Sequence, residues 1–175
     1  MATLAIRGSR RRARCKYFRR HTSSQRTAAW AASTSKKRNS VLPGLLICPD
    51  KSLPFVARYI DSEESATGEA ATLALGESRL PAAFEILKEK WARTIGKSER
   101  KVLLVSMAAS RLEEAIAFLL AVVGTENVMA AVDALEALAI YRLNERVSNA
   151  VHDAVSRRGE KRLLESFTRE FASPA

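Results

Sequence analysis

His152 and Asp153, side by side in Val151-His152-Asp153, are the pairing in this chain with the makings of a general base and its orienting carboxylate. Neighbouring residues on a helix point in different directions, and nothing else in the sequence marks a catalytic cleft, so a structural or exposed histidine is expected. Cys15 and Cys48 stand alone, without a CxxC spacing or a nearby histidine, and imply neither a zinc site nor a disulfide framework. A reducing compartment follows. Ser78 and Ser110 lack a nucleophile elbow and a neighbouring base, which assigns them to turns. Glycine-rich phosphate loops are absent. The chain therefore reads as a non-enzyme, with no catalytic residue, cofactor or metal expected.

The remaining chemistry is that of arginine. Ser78-Arg79-Leu80 recurs as Ser110-Arg111-Leu112 and, loosely, as Tyr141-Arg142-Leu143, with the arginines 32 and 31 residues apart. Four residues before each arginine stand Leu75, Met107 and Leu138, and three before stand Gly76, Ala108 and Ala139. Five residues after come Phe84, Ile116 and Val147, and eight after come Leu87, Leu119 and Ala150. Agreement at several offsets marks an internal repeat, and stacked repeats align equivalent positions into a row along one edge. Two roles suit Arg79, Arg111 and Arg142. They can grip carboxylates or phosphates of a partner, or answer the carbonyls at the end of the preceding helix, where the dipole favours a cation.

The elements that must position this row read as helix, turn, helix. Ala70 to Leu75 leads into a turn around Gly76 to Arg79, and Leu80 to Trp91 then carries Leu80, Ala83, Phe84, Leu87 and Trp91 as one helical stripe. Pro81 fits the first turn of that helix, where its missing N–H breaks no bond. The next unit pairs Lys101–Ala109 with Leu112–Val123, and the third pairs Val128–Ile140 with Glu145–Ser156. Gly124 and Gly159 are read as helix ends. A half unit, Leu53 to Ile60, precedes them and is closed by the polar Asp61-Ser62-Glu63-Glu64-Ser65 turn. A final helix, Lys161 to Phe171, buries Leu163, Leu164, Phe167 and Phe171 as a C-terminal cap. The small residues Gly76, Ala108 and Ala139 are expected to let the two helices of one unit approach closely. A lone pair cannot bury its stripe, so stacking must supply the core. The expected fold is all-α, a short right-handed α-solenoid of stacked helical hairpins over residues 53–175, behind a disordered N-terminal arm of residues 1–52.

The pattern resembles the short HEAT-like repeats related to those of phycocyanobilin lyases, carried by Glu69-Ala70-Ala71-Thr72-Leu73-Ala74-Leu75-Gly76-Glu77-Ser78-Arg79-Leu80 and by the stretch with Ala134-Leu135-Glu136-Ala137-Leu138-Ala139. The likeness covers about residues 53 to 171. It implies a repeat-built binding or scaffold protein. It also implies, as an alternative, an enzyme accessory of the bilin-lyase kind. One branch of the family is a di-iron hydroxylase with paired His-Glu ligands, but this chain has only His21 and His152 and no His-Glu dipeptide.

Charge separates the arm from the rest. The 175 residues carry a formal net charge of +10, from 29 Lys or Arg against 19 Asp or Glu. Twelve of the cations and none of the acids lie between Met1 and Pro49, leaving a balance of −2 from Asp50 onward. Arg10, Arg11, Arg12 and Arg14, with Lys36, Lys37 and Arg38, form the basic clusters. Three readings stay open for the arm: a solvated tail without function, a nucleic-acid arm with steep salt dependence, or a mitochondrial transit peptide. No apolar run is long enough to cross a bilayer, so a cytoplasmic protein without a membrane partner is expected, or one of the mitochondrial matrix if the arm is a transit peptide.

On the repeats, the second helix of each pair offers the partner face, which nominates Glu85, Lys88, Glu113, Glu114, Asn144 and Asn149 alongside the arginines. Mixed charge there argues against a nucleic-acid groove. It favours a protein or peptide partner, with nucleic acid left to the arm.

Overall fold

The computed structural model describes Leu45 and residues 48–171. Arg10, Arg11, Arg12, Arg14, Lys36, Lys37 and Arg38 lie outside the described residues. Between residues 49 and 171 the chain is all-helical, with eight α-helices and no strand: α1 (Pro49–Ala57), α2 (Ser65–Glu77), α3 (Pro81–Arg93), α4 (Lys97–Ser110), α5 (Glu113–Thr125), α6 (Val128–Leu138) continued by a 3₁₀ turn (Ala139–Tyr141), α7 (Glu145–Arg158) and α8 (Lys161–Phe171). None of them is long and apolar enough to cross a membrane. The described residues divide into two units, with the boundary between Ala71 and Thr72.

In the first unit, α1 begins at Pro49, four residues ahead of the start expected at Leu53. The Cys48 carbonyl accepts from the Lys51 and Ser52 amides at 3.3 and 3.0 Å, and Pro49 occupies the first turn, where no N–H is required. Ser52, Val56 and Ile60 are buried at four-residue spacing. The Asp61–Ser65 segment forms the polar turn, and α2 starts at Ser65, earlier than Ala70.

The second unit holds the long apolar core. Leu75, Leu87, Leu103, Leu104, Met107, Leu119, Leu135, Leu138 and Leu163 are fully buried, each worth about 1.5–3 kcal/mol of transfer free energy. The stripe of α3 is buried at Ala83, Phe84, Leu87 and Trp91, with Leu80 half-buried at its cap. α4 packs on α3, α5 and α6. In turn, α6 packs on α5 and α8, and α7 packs on α5 and α8. A set of polar contacts joins residues about one repeat apart. Lys101 Nζ meets Glu136 Oε2 at 2.8 Å, 35 residues on, and Arg169 meets Glu136 at 3.1 Å, 33 residues on. Arg158 Nη1 donates to the Val123 and Glu126 carbonyls at 2.9 and 2.7 Å, across 35 and 32 residues.

Three expectations are corrected. Gly76 does not serve the approach of α2 to α3, the two helices of its own unit. A Cβ built there would lie 2.1 Å from the Ser106 carbonyl oxygen, so its absence lets α2 and α4, the first helices of successive units, meet backbone to backbone. Gly124 does not end its helix, because α5 runs on to Thr125 and closes through the Glu126 amide on Val122 O at 3.1 Å. Gly159, by contrast, does end α7 with φ +65°. Finally, α8 buries Leu163 and Ser166 but leaves Leu164 40% exposed and Phe167 and Phe171 half-buried. Leu164 lies one step round the helix from Leu163, away from α6 and α7. The two phenylalanines stack on each other at 5.1 Å.

Candidate functional site

The turns that carry Arg79 and Arg111 share their main contacts. Ser78 Oγ donates to the Leu75 carbonyl and Ser110 Oγ to the Met107 carbonyl, both at 2.6 Å and both buried. The following arginine amides donate to Gly76 O and Ala108 O, both at 3.2 Å. Arg79 and Arg111 then adopt φ +55° and +57°, the left-handed conformation that ends a helix. Leu80 and Leu112 are extended, and α3 and α5 start one residue later. A residue with a Cβ in this conformation costs about 1 kcal/mol relative to glycine. Serine thus has the turn role expected of it, and the helix ends are closed by backbone and serine hydroxyls.

The arginine side chains are left over from that capping. Arg79, Arg111 and Arg142 are exposed, and among the described residues none of the three guanidinium groups bonds a helix-end carbonyl or pairs with a carboxylate. Arg158 performs the carbonyl-capping role instead. It is held further by Glu160 at 2.6 Å, and its position near the end of α7 gave the sequence reading no reason to single it out.

The third turn differs. Arg142 has φ −53° and follows a 3₁₀ turn, and α7 starts at Glu145 after one extra residue, so Arg142 does not share the backbone of the other two. Tyr141 stands where the earlier turns have serine. Its hydroxyl reaches back 33 residues to donate to the Ala108 carbonyl, inside the Arg111 turn. Burial pushes this hydroxyl above its ordinary pKa, against the pull of the Arg111 and Arg79 charges, and Glu113 adds to the rise. Tyr141 thus joins the third turn to the Arg111 turn at one point, where the Arg79 charge is also felt. Glu113 is engaged by Arg146 at 3.4 Å. On either side of Tyr141-Arg142, Ile140 is 60% and Leu143 83% exposed.

The other nominated residues are exposed but not brought to this point. Glu85 and Lys88 pair with each other along α3 at 3.6 Å. Asn144 caps α7, its side-chain oxygen accepting from the Val147 amide at 3.3 Å, so its polar group serves the fold. Glu114 and Asn149 lie exposed on α5 and α7. His152 Nδ1 lies 3.6 Å from Asp153 Oδ1, too far for a hydrogen bond, with both side chains more than half exposed. Its ring instead rests 5.5 Å from that of Phe167. A groove of about 580 Å³ between α5 and α7 has Ala121, Gly124, Ala150 and Ala154 among its lining residues. Among the described residues no three His, Cys, Asp or Glu side chains gather as a metal site. Comparison of the chain with family models, with curated proteins and with solved structures returned no match.

Proposed function

We propose that this chain is a non-catalytic protein-binding or scaffold module, built as a short right-handed α-solenoid of the HEAT-like kind. The observation that carries the reading is the periodicity of the contacts between helices, which join residues 32 to 35 apart, within about one helical turn of the 31- and 32-residue spacing of the sequence repeat. The packing of α4 on α6 and of α6 on α8, with α5 on α7, supports two layers of stacked first and second helices. Such a stack stabilises each unit through its neighbours and presents an extended surface suited to a macromolecule. The near-neutral charge from Asp50 onward favours a protein partner over a nucleic acid for this part of the chain.

The test is affinity capture from nuclease-treated lysate, with retained proteins identified by mass spectrometry. The bait is the full chain, beside a full-length variant in which Arg10, Arg11, Arg12, Arg14, Lys36, Lys37 and Arg38 are replaced by glutamine. The same defined protein should be retained on both. Retention by the native arm alone, stripped by moderate salt, would assign binding to the arm and overturn the reading.

A further inference from the structure

We propose that the edge where Arg79 and Arg111 flank Tyr141 binds an acidic peptide segment that also carries an apolar side chain. This names the partner chemistry for the binding-module reading and rests on it. Two arginines occupy left-handed positions at which glycine would be the less strained residue, and in both turns the capping bonds are made by backbone amides and serine hydroxyls, not by the arginine side chains. Their charges are exposed and, among the described residues, unmatched by any carboxylate. Glu113, two residues after Arg111, is engaged by Arg146. The Tyr141 hydroxyl, bonded to the Ala108 carbonyl, ties the third turn to the Arg111 turn, and the Arg79 turn repeats the Arg111 backbone 32 residues earlier. Paired guanidinium groups of this kind match carboxylates in geometry as well as charge.

The surroundings select among anions. Ile140 and Leu143 are large apolar side chains left in water next to Tyr141 and Arg142, which gives this edge the mixture of arginine, tyrosine and aliphatic surface that anchors protein partners. A free inorganic anion would leave them uncovered. A peptide with carboxylates and an apolar residue would engage both the arginines and this aliphatic surface.

The experiment titrates the full chain into a short fluorescein-labelled peptide of Glu-Glu-Leu repeats, followed by anisotropy. A Gln-Gln-Leu peptide and an oligothymidylate of equal length serve as comparisons. In the Arg79→Gly, Arg111→Gly variant the affinity for the acidic peptide should fall about tenfold or more. The arm keeps every one of its cations in this variant. Glycine fits the left-handed turns, so the circular dichroism spectrum should be unchanged and the thermal midpoint should not fall. The native chain should bind the Gln-Gln-Leu peptide far more weakly. Equal binding of the acidic peptide by native and variant proteins would trace it to the arm and overturn the proposal, as would oligothymidylate binding that alone responds to the substitutions. If the variant still captures the same lysate protein as the native chain, this site falls while the module reading stands. If neither captures a protein, the module reading itself falls, and the site with it.

Discussion

Gly76→Ala and Gly124→Ala make the same chemical change in two helices, and the structure gives them opposite signs. At Gly76 the new methyl would lie 2.1 Å from the Ser106 oxygen, 2.7 Å from its carbonyl carbon and 2.9 Å from its Cα. Carbon contacts are comfortable only from about 3.5 Å, so α2 and α4 would have to part by roughly 1 Å. The obstructing atoms are backbone, and no side-chain rotation can relieve them. Overpacking of this kind costs about 1–3 kcal/mol, which exceeds the gain of up to about 1 kcal/mol from placing alanine for glycine in a helix. A net loss of up to about 2 kcal/mol should lower the thermal midpoint by roughly 4–8 °C per kcal/mol for a unit of this size. At Gly124 a Cβ meets nothing within 4 Å. Only the propensity gain remains there, and the midpoint should rise by a few degrees. Circular dichroism melts of the full-length variants measure both. A rise for Gly76→Ala comparable with that for Gly124→Ala would refute the backbone contact between α2 and α4.

Arg158→Ala should destabilise by about 1–3 kcal/mol, because it strips the donor from the Val123 and Glu126 carbonyls; urea denaturation should show the loss, and a change within error would mean water replaces the guanidinium. Tyr141→Phe removes the hydroxyl bond to Ala108 and should cost about 0.5–1.5 kcal/mol in the same assay, while an unchanged midpoint would deny that Tyr141 ties the second and third turns together. Stability should also depend on alkaline pH. The Lys101 ammonium is held above its ordinary value of 10.5 by its bond to Glu136, and burial raises the Tyr141 hydroxyl above 10.0. Both shifts favour the protonated form in the folded state, so their contribution is complete below about pH 10 and is lost as the pH rises through the folded values. Lys101 is half exposed, which keeps its share at or below about 1 kcal/mol. Melting midpoints should show a fall above pH 10 that is shallower in the Lys101→Gln, Tyr141→Phe variant; equal slopes would exclude these two groups.

The parts legible in the sequence were those written in apolar periodicity. Ala83, Phe84, Leu87 and Trp91 read as a stripe and are buried as one, and Leu75, Met107 and Leu138, aligned by the repeat, are each fully buried. Helix starts were less legible where the first turn is polar. Lys97-Ser98-Glu99-Arg100 opens α4 with exposed or half-exposed residues, so the apolar pattern alone puts its beginning several residues late. The left-handed arginines left no signal, since glycine or asparagine is the residue that announces such a turn. The 31-residue spacing to Arg142 did record an irregular third turn, but not that Tyr141 would reach back across a unit. Arg158 was missed because its partners are backbone carbonyls of the preceding unit, which have no sequence signature.

The proposed stacking in register, one repeat apart, would underlie both the extended surface and the edge at Tyr141. Lys101 Nζ lies 2.8 Å from Glu136 and 3.9 Å from Asp133, an amine and two carboxylates from successive units. Zero-length carbodiimide coupling of the full chain, followed by peptide mass spectrometry, reads this register directly. Peptides joining Lys101 to Glu136 or Asp133 should dominate the products formed by Lys101. Coupling of Lys101 chiefly to acids of α3 or α7, such as Glu85 or Glu145, would contradict it.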